Sequence, residues 1–248
     1  MRLKNKTVLI TGATSGIGFA AAQRAIQEGA FVVFTGRNSD QIVQTQVQFG
    51  SQSLGIQCDH SSLVSQDHFI EKMQQLSIKF DVIYINAGNV SHEAFGQWTV
   101  EQFDAIFDTN VKGPFFLIQR LLPMIKPHAS VILCGSTSIH IALEKSSVYA
   151  ASKIALRSLV KTLSRELLAQ QIRFNLLSPG PTLTPALNKV ASTPAEVEQL
   201  KASIENLVPI QRLADPVEIA NAFIYLASDE AKFIVGSELL VDGGVANL

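Results

Sequence analysis

Short runs of apolar, often β-branched residues recur along this chain and alternate with longer stretches in which apolar residues follow a helical period. We predict strands at residues 7–11, 31–35, 53–58, 82–86, 130–135, 173–178 and 238–241. We predict helices between them at roughly 16–28, 40–49, 65–76, 99–122, 148–170 and 216–228. Strands that alternate with helices form repeated βαβ units. The pattern therefore predicts an α/β protein with a doubly wound parallel sheet of seven strands and helices on both faces.

The length and apolar content are typical of one domain over residues 1–248. With 248 residues and 47% hydrophobic content, the chain can bury a sizeable core. One segment, about 183–212, breaks the alternation because prolines surround a short helical pattern at 195–205. We expect this insertion to be a lid or a binding loop at the end of the sheet.

Charge and cysteine usage exclude several classes of function. The 20 Lys and Arg residues nearly balance the 21 Asp and Glu residues, which argues against nucleic acid or an anionic membrane as a partner. Cys58 and Cys134 lack metal-type spacing, so we expect buried, reduced thiols and no metal site. No cleavage signal precedes the first strand and no apolar run is long enough for a membrane span. We expect a cytoplasmic protein.

A glycine-rich turn follows the first predicted strand and opens the first predicted helix. Its sequence, Thr11-Gly12-Ala13-Thr14-Ser15-Gly16-Ile17-Gly18, has the spacing G-x-x-x-G-x-G. Glycines let a backbone approach phosphates, and a helix N-terminus offers unpaired N–H groups and the positive end of the helix dipole. The turn predicts a pyrophosphate site. The alternative is that the glycines serve only a tight turn.

Tyr149 and Lys153 are four residues apart within a predicted helix, so their side chains share one face. A phenol is a weak acid at neutral pH, and a neighbouring cation stabilises its phenolate form. The pair therefore predicts a general acid or base with its activating cation. A chance pairing on a solvated helix face is the alternative.

With these two motifs, the chain resembles the short-chain dehydrogenase/reductase family along essentially its whole length. Further matching features are Asn86-Ala87-Gly88 after the fourth strand, Asn110, Ser136 thirteen residues before Tyr149, and Pro179-Gly180 after the sixth strand. The resemblance implies a Rossmann-like domain that binds a nicotinamide dinucleotide. The carboxyl ends of the strands are where such a sheet binds ligands.

The resemblance implies a role for each catalytic candidate. Tyr149 would exchange a proton with the substrate oxygen. Lys153 would lower the pKa of Tyr149 and bind the nicotinamide ribose. Ser136 would hold the substrate oxygen, while Asn110 would anchor a water that relays protons to Lys153. Two alternatives stay open: Ser136 satisfies local backbone, with Thr137 and Ser138 as competitors for its role, and Asn110 simply interrupts a helix.

NADP(H) is favoured as the cofactor, and NAD(H) is possible. At the end of the second strand, Gly36 stands where NAD-preferring relatives carry Asp, and Arg37 follows it. A guanidinium suits a 2′-phosphate. Ser15 stands where some NADP-dependent relatives place a second basic residue, so discrimination would be modest. By resemblance Asp59 would contact the adenine, Asn38 would add a polar contact, and His60 would only line the rim of the site.

The complete set of residues expected to bind the cofactor is Gly12, Thr14, Ser15, Gly16, Ile17, Gly18, Arg37, Asn38, Asp59, Asn86, Ala87, Gly88, Tyr149, Lys153, Pro179, Gly180, Thr182 and Thr184. Residues 89–98, 138–148 and 183–212 should form the walls of the substrate pocket. His92, His140, Glu144 and Lys145 are specificity contacts or solvated loop tips, and we favour the second.

The predicted function is an NADPH-dependent ketoreductase with Tyr149 as general acid or base, acting on a small carbonyl or alcohol compound. A neutral ketone or a 3-oxoacyl thioester is the expected substrate. The alternatives are an NAD-dependent alcohol dehydrogenase and a protein that senses nucleotide without turnover. By resemblance we expect a homotetramer, with a dimer as the alternative.

Overall fold

A computed structural model describes residues 1–185 and 193–248 and contains one seven-stranded sheet. All pairs of neighbouring strands are parallel, in the order β3-β2-β1-β4-β5-β6-β7. The strands are β1 Thr7–Ile10, β2 Phe31–Gly36, β3 Ser53–Gln57, β4 Phe80–Ile85, β5 Ile125–Cys134, β6 Arg173–Pro179 and β7 Glu238–Val241. The predicted α/β class and the seven-stranded parallel sheet are confirmed.

Helices connect the strands in the described parts of the chain. They are α1 Gly16–Gln27, α2 Ser39–Phe49, α3 Leu63–Gln75, α4 Val100–Phe107, α5 Gly113–Leu121, α6 Ser147–Glu166, α7 Pro194–Glu205 and α8 Pro216–Ala227. The predicted helix at 99–122 is divided, because a π-helical turn, Asp108–Lys112, separates α4 from α5. The predicted fifth strand was too short at its start, since β5 already begins at Ile125.

Local sequence explains where several helices begin and end. Asp215 caps α8 through a reciprocal pair of hydrogen bonds with Glu218, and Pro216 occupies the first turn, where its missing N–H is not needed. Gly29 follows α1 with a φ of 87°, a left-handed conformation that glycine adopts without strain and that turns the chain into β2.

Alternate residues of each strand face two separate apolar cores. In β1, Val8 and Ile10 belong to the core beneath α1 and α8, while Leu9 belongs to the core beneath α3, α5 and α6. This period of two, with burial on both faces, is what the continuous apolar strand sequences require. The predicted helices on both faces of the sheet are therefore present.

The strand order reverses between β1 and β4, and this reversal locates the site. From β1 the chain runs outward to β2 and β3, then returns to β4 on the other side of β1. The backbone N–H of Thr11 donates to Tyr84 O at 3.0 Å, so the residues after β1 stay beside the end of β4. A crevice forms at the carboxyl ends of strands at such a reversal.

None of the helices in the described ranges combines the length and the apolar character needed to cross a bilayer.

Candidate active site

The glycine-rich turn after β1 is packed so closely that two positions exclude a side chain. Gly12 has a φ of 65°, and a Cβ there would lie 3.0 Å from Ala87 Cα. A Cβ on Gly18 would overlap Gly12 O and lie 2.5 Å from Asn86 Nδ2. The predicted glycine spacing therefore has a steric cause: the turn touches the segment after β4 and the first turn of α1.

Thr11 and Asn86 connect this turn to the end of β4. The Asn86 amide donates to Thr11 O at 3.0 Å and to Gly12 O at 3.1 Å. In return, Thr11 Oγ1 accepts from the backbone N–H groups of Asn86 and Ala87 at 3.0 and 2.9 Å. Thr11 was not among the predicted site residues, although its position at the end of an apolar strand marks it as a polar residue that needs partners.

The N-terminus of α1 can accept an anion. Ser15 occupies the cap position without a side-chain hydrogen bond to the helix, and no acidic residue lies in the first turn. The first N–H groups of this helix and its dipole are therefore not neutralised by the helix's own residues. A Cβ on Gly16 would lie 3.3 Å from Thr184 Cγ2, so the 180–185 segment covers the turn from the other side. The residues present fit the phosphates of a dinucleotide.

At the end of β2, Gly36 leaves no room for a side chain because of its neighbour Thr14. A Cβ on Gly36 would lie only 2.6 Å from Thr14 Cγ2. Arg37 follows and is exposed. Asp59 lies after β3; partial burial acts to raise its pKa, but hydrogen bonds from the Ser61 hydroxyl and N–H, with the positive charge of Arg37, hold that pKa below its ordinary value. This corner thus has a cation and an ionised carboxylate.

Two further residues predicted here have local structural roles. Asn38 Oδ1 accepts from Gln41 N at 2.9 Å and so caps α2. His60 is 6% exposed and its Nε2 lies 2.6 Å from Thr35 Oγ1. The expectation that His60 lines the rim is wrong: the side chain points into the protein below the glycine-rich turn instead.

Tyr149 and Lys153 lie one turn apart on α6, as their spacing predicted. Lys153 Nζ is 5.7 Å from the centre of the Tyr149 ring. Lys153 is buried, and its Nζ donates to Cys134 O, at the end of β5, at 2.8 Å. This bond fixes a buried cation beside the phenol. It also uses only one of the three donors of the ammonium group.

Asn110 lies in the π-helical turn and is 1% exposed. Its Oδ1 accepts from Asn89 N at 2.7 Å, and its Nδ2 donates to Asn89 O at 2.8 Å and to Ser152 Oγ at 3.0 Å. Ser152 Oγ in turn donates to Tyr149 O at 2.7 Å. Asn110 therefore ties the π-helical turn to the Asn89 backbone and to the first turns of α6. The predicted helix interruption is present at this residue.

The three adjacent hydroxyls after β5 have different surroundings. Thr137 Oγ1 donates to Pro179 O at 3.4 Å, and Ser136 Oγ accepts from Ser138 N at 3.1 Å. Ser138 Oγ is buried, with no hydrogen-bond partner within the described residues. Ser136 lines the cavity described next, whereas Thr137 and Ser138 are absent from its described lining. The geometry favours Ser136 over its two competitors.

A cavity of about 260 Å³ brings some of the predicted residues together. Its described lining is Ile17, Val90, His92, Cys134, Gly135, Ser136, Tyr149, Pro179, Gly180, Thr182 and Thr184. Asn110 and Lys153 are buried and lie outside this lining, and Arg37, Asn38 and Asp59 lie at the β2 and β3 end of the sheet edge. Part of the predicted 183–212 wall, residues 186–192, lies outside the described residues.

Of the two histidines that we expected to be solvated, His92 is exposed and His140 is not. His92 is exposed overall, its ring lies 6.1 Å from the Tyr149 ring in an edge-to-face arrangement, and partial desolvation lowers its pKa. His140 Nε2 lies 2.9 Å from Glu238 Oε1 on β7. Glu144 and Lys145 are exposed, as expected. The sequence offered no signal for His92, because its contact with Tyr149 depends on how the 89–98 loop folds back.

The chain is similar to known oxidoreductases. A family model described as enoyl-(acyl carrier protein) reductase matches residues 12–246. The oxidoreductase asL5 of Sarocladium schorii is 35% identical over 100% of this chain and 98% of its own length. A 3alpha-hydroxysteroid dehydrogenase of Mediterraneibacter gnavus is 35% identical over 98% of each protein.

Among solved structures, the Pseudomonas aeruginosa RhlG/NADP active-site complex superposes with a TM-score of 0.91. It is 28% identical, and the match covers 98% of this chain and 97% of that one.

Proposed function

This chain belongs to the short-chain dehydrogenase/reductase family of oxidoreductases, which act on hydroxyl and carbonyl groups, and from that premise we propose that it is an NADPH-dependent ketoreductase. The observation that carries the proposal is one cavity in which the Tyr149 phenol, the Ser136 hydroxyl and the 180–184 segment meet. A carbonyl group placed there would reach a proton donor and a hydrogen-bond donor together.

In the proposed reaction Tyr149 donates a proton to the carbonyl oxygen. Ser136 donates a hydrogen bond to the same oxygen, which holds it in place and stabilises negative charge as it develops. NADPH, when bound, supplies the hydride that the carbonyl carbon accepts. Lys153 keeps a positive charge beside the phenol, so that the phenolate left after proton transfer is stabilised.

Asn110 acts on this centre through its neighbours. Its amide holds the Asn89 backbone on one side and Ser152 Oγ on the other, and Ser152 bonds to Tyr149 O. A Cβ on Gly88 would lie 3.4 Å from Lys153 Nζ and 3.5 Å from Asn110 Oδ1, so the segment after β4 closes over both polar groups. We propose that this arrangement keeps a proton path to Lys153 short.

The preference for NADPH rests on the end of β2. Thr14 leaves no space for the carboxylate that would bind a ribose 2′-hydroxyl at position 36, and Arg37 is exposed beside it. A 2′-phosphate would gain a charge-assisted hydrogen bond from Arg37 and would meet no carboxylate at Gly36.

The proposed substrate is a neutral ketone or a 3-oxoacyl thioester. The described cavity lining contains no Asp, Glu, Lys or Arg, and partial desolvation lowers the pKa of His92, which disfavours its charged form. A charged substrate group would therefore have no counter-charge in the described part of this cavity. The similarity to a 3alpha-hydroxysteroid dehydrogenase supports an uncharged, largely apolar substrate.

We also propose that the chain forms a homotetramer. Large apolar side chains are exposed on the outer helices and near the C-terminus, among them Phe103, Ile154 and Phe233. Light scattering of the purified protein should give the mass of four chains of 26.9 kDa each, and a monomer mass would contradict this proposal.

The experiment that tests the proposed function is a parallel titration with NADPH and NADH, followed by cofactor consumption against a panel of ketones and 3-oxoacyl thioesters. Tighter NADPH binding with turnover of a ketone is the expected result. Preference for NADH with oxidation of alcohols would favour an NAD-dependent alcohol dehydrogenase. Binding of either nucleotide without turnover on the whole panel would favour a sensor.

A further inference from the structure

A line of buried hydrogen bonds runs from the glycine-rich turn to the residues after β3, and the roles assigned above do not use it. Gly12 N lies 3.3 Å from Thr35 Oγ1, which lies 2.6 Å from His60 Nε2. On the far side of the imidazole, His60 Nδ1 lies 3.8 Å from Cys58 Sγ, and Cys58 Sγ lies 3.7 Å from Ser65 O. Thr35, Cys58 and His60 are all buried.

Only one assignment of protons satisfies every member of this line. Thr35 Oγ1 has two lone pairs and could accept from both Gly12 N–H and His60, so the direction is decided at the other end, where Ser65 O can only accept. Thr35 Oγ1 accepts from Gly12 and donates its hydrogen to His60 Nε2. His60 then carries its proton on Nδ1 and faces Cys58 Sγ, whose thiol hydrogen points to Ser65 O. The opposite tautomer needs the single thiol hydrogen to serve both His60 and Ser65.

Both titratable members are uncharged at neutral pH. Burial lowers the pKa of His60 to about 4, and the charge of the adjacent Asp59 opposes this only in part. Burial also raises the pKa of the Cys58 thiol to about 11; hydrogen bonding from the Ser65 side chain opposes this and the Asp59 charge adds to it. A neutral imidazole can accept from Thr35 through Nε2, which an imidazolium cannot do.

The line ends at Gly12, whose backbone is hydrogen-bonded on both sides. Gly12 is held on its carbonyl side by Asn86 Nδ2 and on its N–H side by Thr35 Oγ1. Thr35 O also accepts from Ala13 N at 3.0 Å. The Thr35 hydroxyl can rotate, and His60 Nε2 is the acceptor that fixes its lone pairs toward Gly12.

We propose that His60 is a positioning residue for the nucleotide: as the Nδ1–H tautomer it orients the Thr35 hydroxyl, which holds the Gly12 N–H and so the phosphate-binding turn. This inference rests on the proposed function, because it takes the turn at 12–18 to bind the dinucleotide pyrophosphate. His60 touches no substrate and acts only through Thr35. Loss of His60 should therefore weaken NADPH and NADH by the same factor, since both share the pyrophosphate.

The test compares His60→Met, His60→Gln, Thr35→Val and the double variant His60→Met/Thr35→Val. His68→Met is the matched control, since His68 is exposed on α3. We expect His60→Met and Thr35→Val each to raise the Kd of NADPH and of NADH about tenfold, the cost of one buried polar group left without its partner. The double variant should be no weaker than the weaker single, because the two residues act as one unit.

His60→Gln places an amide oxygen near the position of Nε2 and should restore binding to within about threefold of the unchanged protein. At saturating NADPH, kcat should stay the same in all these variants while the KM for NADPH rises. Circular dichroism melting identifies any variant that fails to fold. If His60→Met does not fold, Thr35→Val and His60→Gln carry the same comparison.

The tautomer gives a readout that does not depend on nucleotide. In protein labelled with ¹⁵N-histidine, the His60 signals, assigned as those missing in His60→Gln, should show a protonated Nδ1 and an unprotonated Nε2. A protonated Nε2, additive losses in the double variant, or wild-type KM for NADPH in a folded His60→Met would overturn the inference. If the unchanged protein bound neither nucleotide, the proposed function itself would fail, whatever the tautomer.

Discussion

The nucleotide-binding turn and the wall facing Tyr149 lie at the same edge of the sheet but differ in how their polar groups are paired. Around Gly12, the side chains of Thr11, Thr35 and Asn86 all bond to backbone atoms. Near Tyr149, the hydroxyls of Ser138 and Ser146 are buried without a hydrogen-bond partner among the described residues.

This difference matches what each side would bind. The turn would bind the same nucleotide in every reaction cycle. Side chains bonded to its backbone can therefore hold the turn in one conformation. The substrate wall must fit the particular carbonyl compound and exclude water. The unpartnered Ser138 and Ser146 hydroxyls lie behind the described cavity lining, and each buried polar group without a partner lowers the folding stability. Four predictions test this division.

The largest effect should follow Tyr149→Phe, which removes the proton donor and keeps the ring. We expect kcat to fall about 10³-fold, the usual size of a general acid–base contribution, while the Kd of NADPH changes less than about threefold. Stopped-flow turnover and fluorescence titration measure the two quantities. Tyr225→Phe, on the partly exposed face of α8, is the control. Near-normal turnover in Tyr149→Phe would remove Tyr149 from the mechanism.

A smaller effect, confined to the nucleotide side, should follow Arg37→Asp. The substitution replaces a partner of the 2′-phosphate with a like charge, so the Kd of NADPH should rise about 50-fold. The Kd of NADH should stay within about threefold. Arg165→Asp, in the exposed last turn of α6, should change neither. Equal losses for the two nucleotides would show that Arg37 does not read the 2′-phosphate.

The third prediction concerns pH and the buried His60. Its pKa is lowered from an ordinary 6.5 to about 4, mainly by burial, so below pH 6.5 the unfolded chain takes up a proton that the folded chain refuses. This residue leaves the folding stability unchanged above about pH 6.5, and it lowers the stability progressively as the pH falls from about 6.5 to about 4. At pH 5 the loss from this residue should reach about 2 kcal/mol.

Urea unfolding of the unchanged protein and of His60→Gln from pH 8 to pH 5 isolates this contribution. Thr35 and Cys58 contact the imidazole, Asp59 precedes it in the chain, and uncharged Gln66 and Gly113, from α3 and α5, lie against the His60 carbonyl oxygen. The stability advantage of the unchanged protein should shrink toward pH 5. Parallel curves would mean that His60 is not a buried neutral group. His68→Gln should leave the curve unchanged.

The smallest effect should follow His92→Phe on the substrate side. Phenylalanine keeps the aromatic contact with Tyr149 and removes the ring nitrogens. We expect kcat/KM for ketones to change by about fivefold or less, with different factors for different ketones and no change in the Kd of NADPH. His68→Phe serves as control. A changed Kd of NADPH would contradict the separation of the two sides.

The sequence was sufficient for the sheet, because strands buried on both faces are continuous apolar runs and the chain alternates them with helices. It also located the glycine turn and the Tyr149–Lys153 face, since both depend on local spacing. The conformation of the π-helical turn at Asp108–Lys112 could not be predicted. Asn110 signals an interruption of the helix, but the hydrogen bonds that hold this residue go to Asn89 and Ser152, in distant segments.

His60 and His92 show why other contacts could not be predicted. Both are single polar residues beside loops, and their surroundings depend on how those loops fold against other elements. His60 follows an apolar strand directly, and this could have suggested burial. His92 follows a polar segment and carries no comparable signal. Thr11 and Thr35 form hydrogen bonds to the backbone of other segments. The spacing of residues in a motif does not predict such bonds.

The close packing of Gly36 against Thr14 has a consequence for how this protein can change over evolutionary time. An acidic residue at position 36 would bring its Cβ within 2.6 Å of Thr14 Cγ2, and a β-branched side chain has little freedom to move away. A lineage could therefore acquire that residue only after position 14 had become smaller. The order of mutations, and not only their number, would limit a change of nucleotide preference in descendants of this chain.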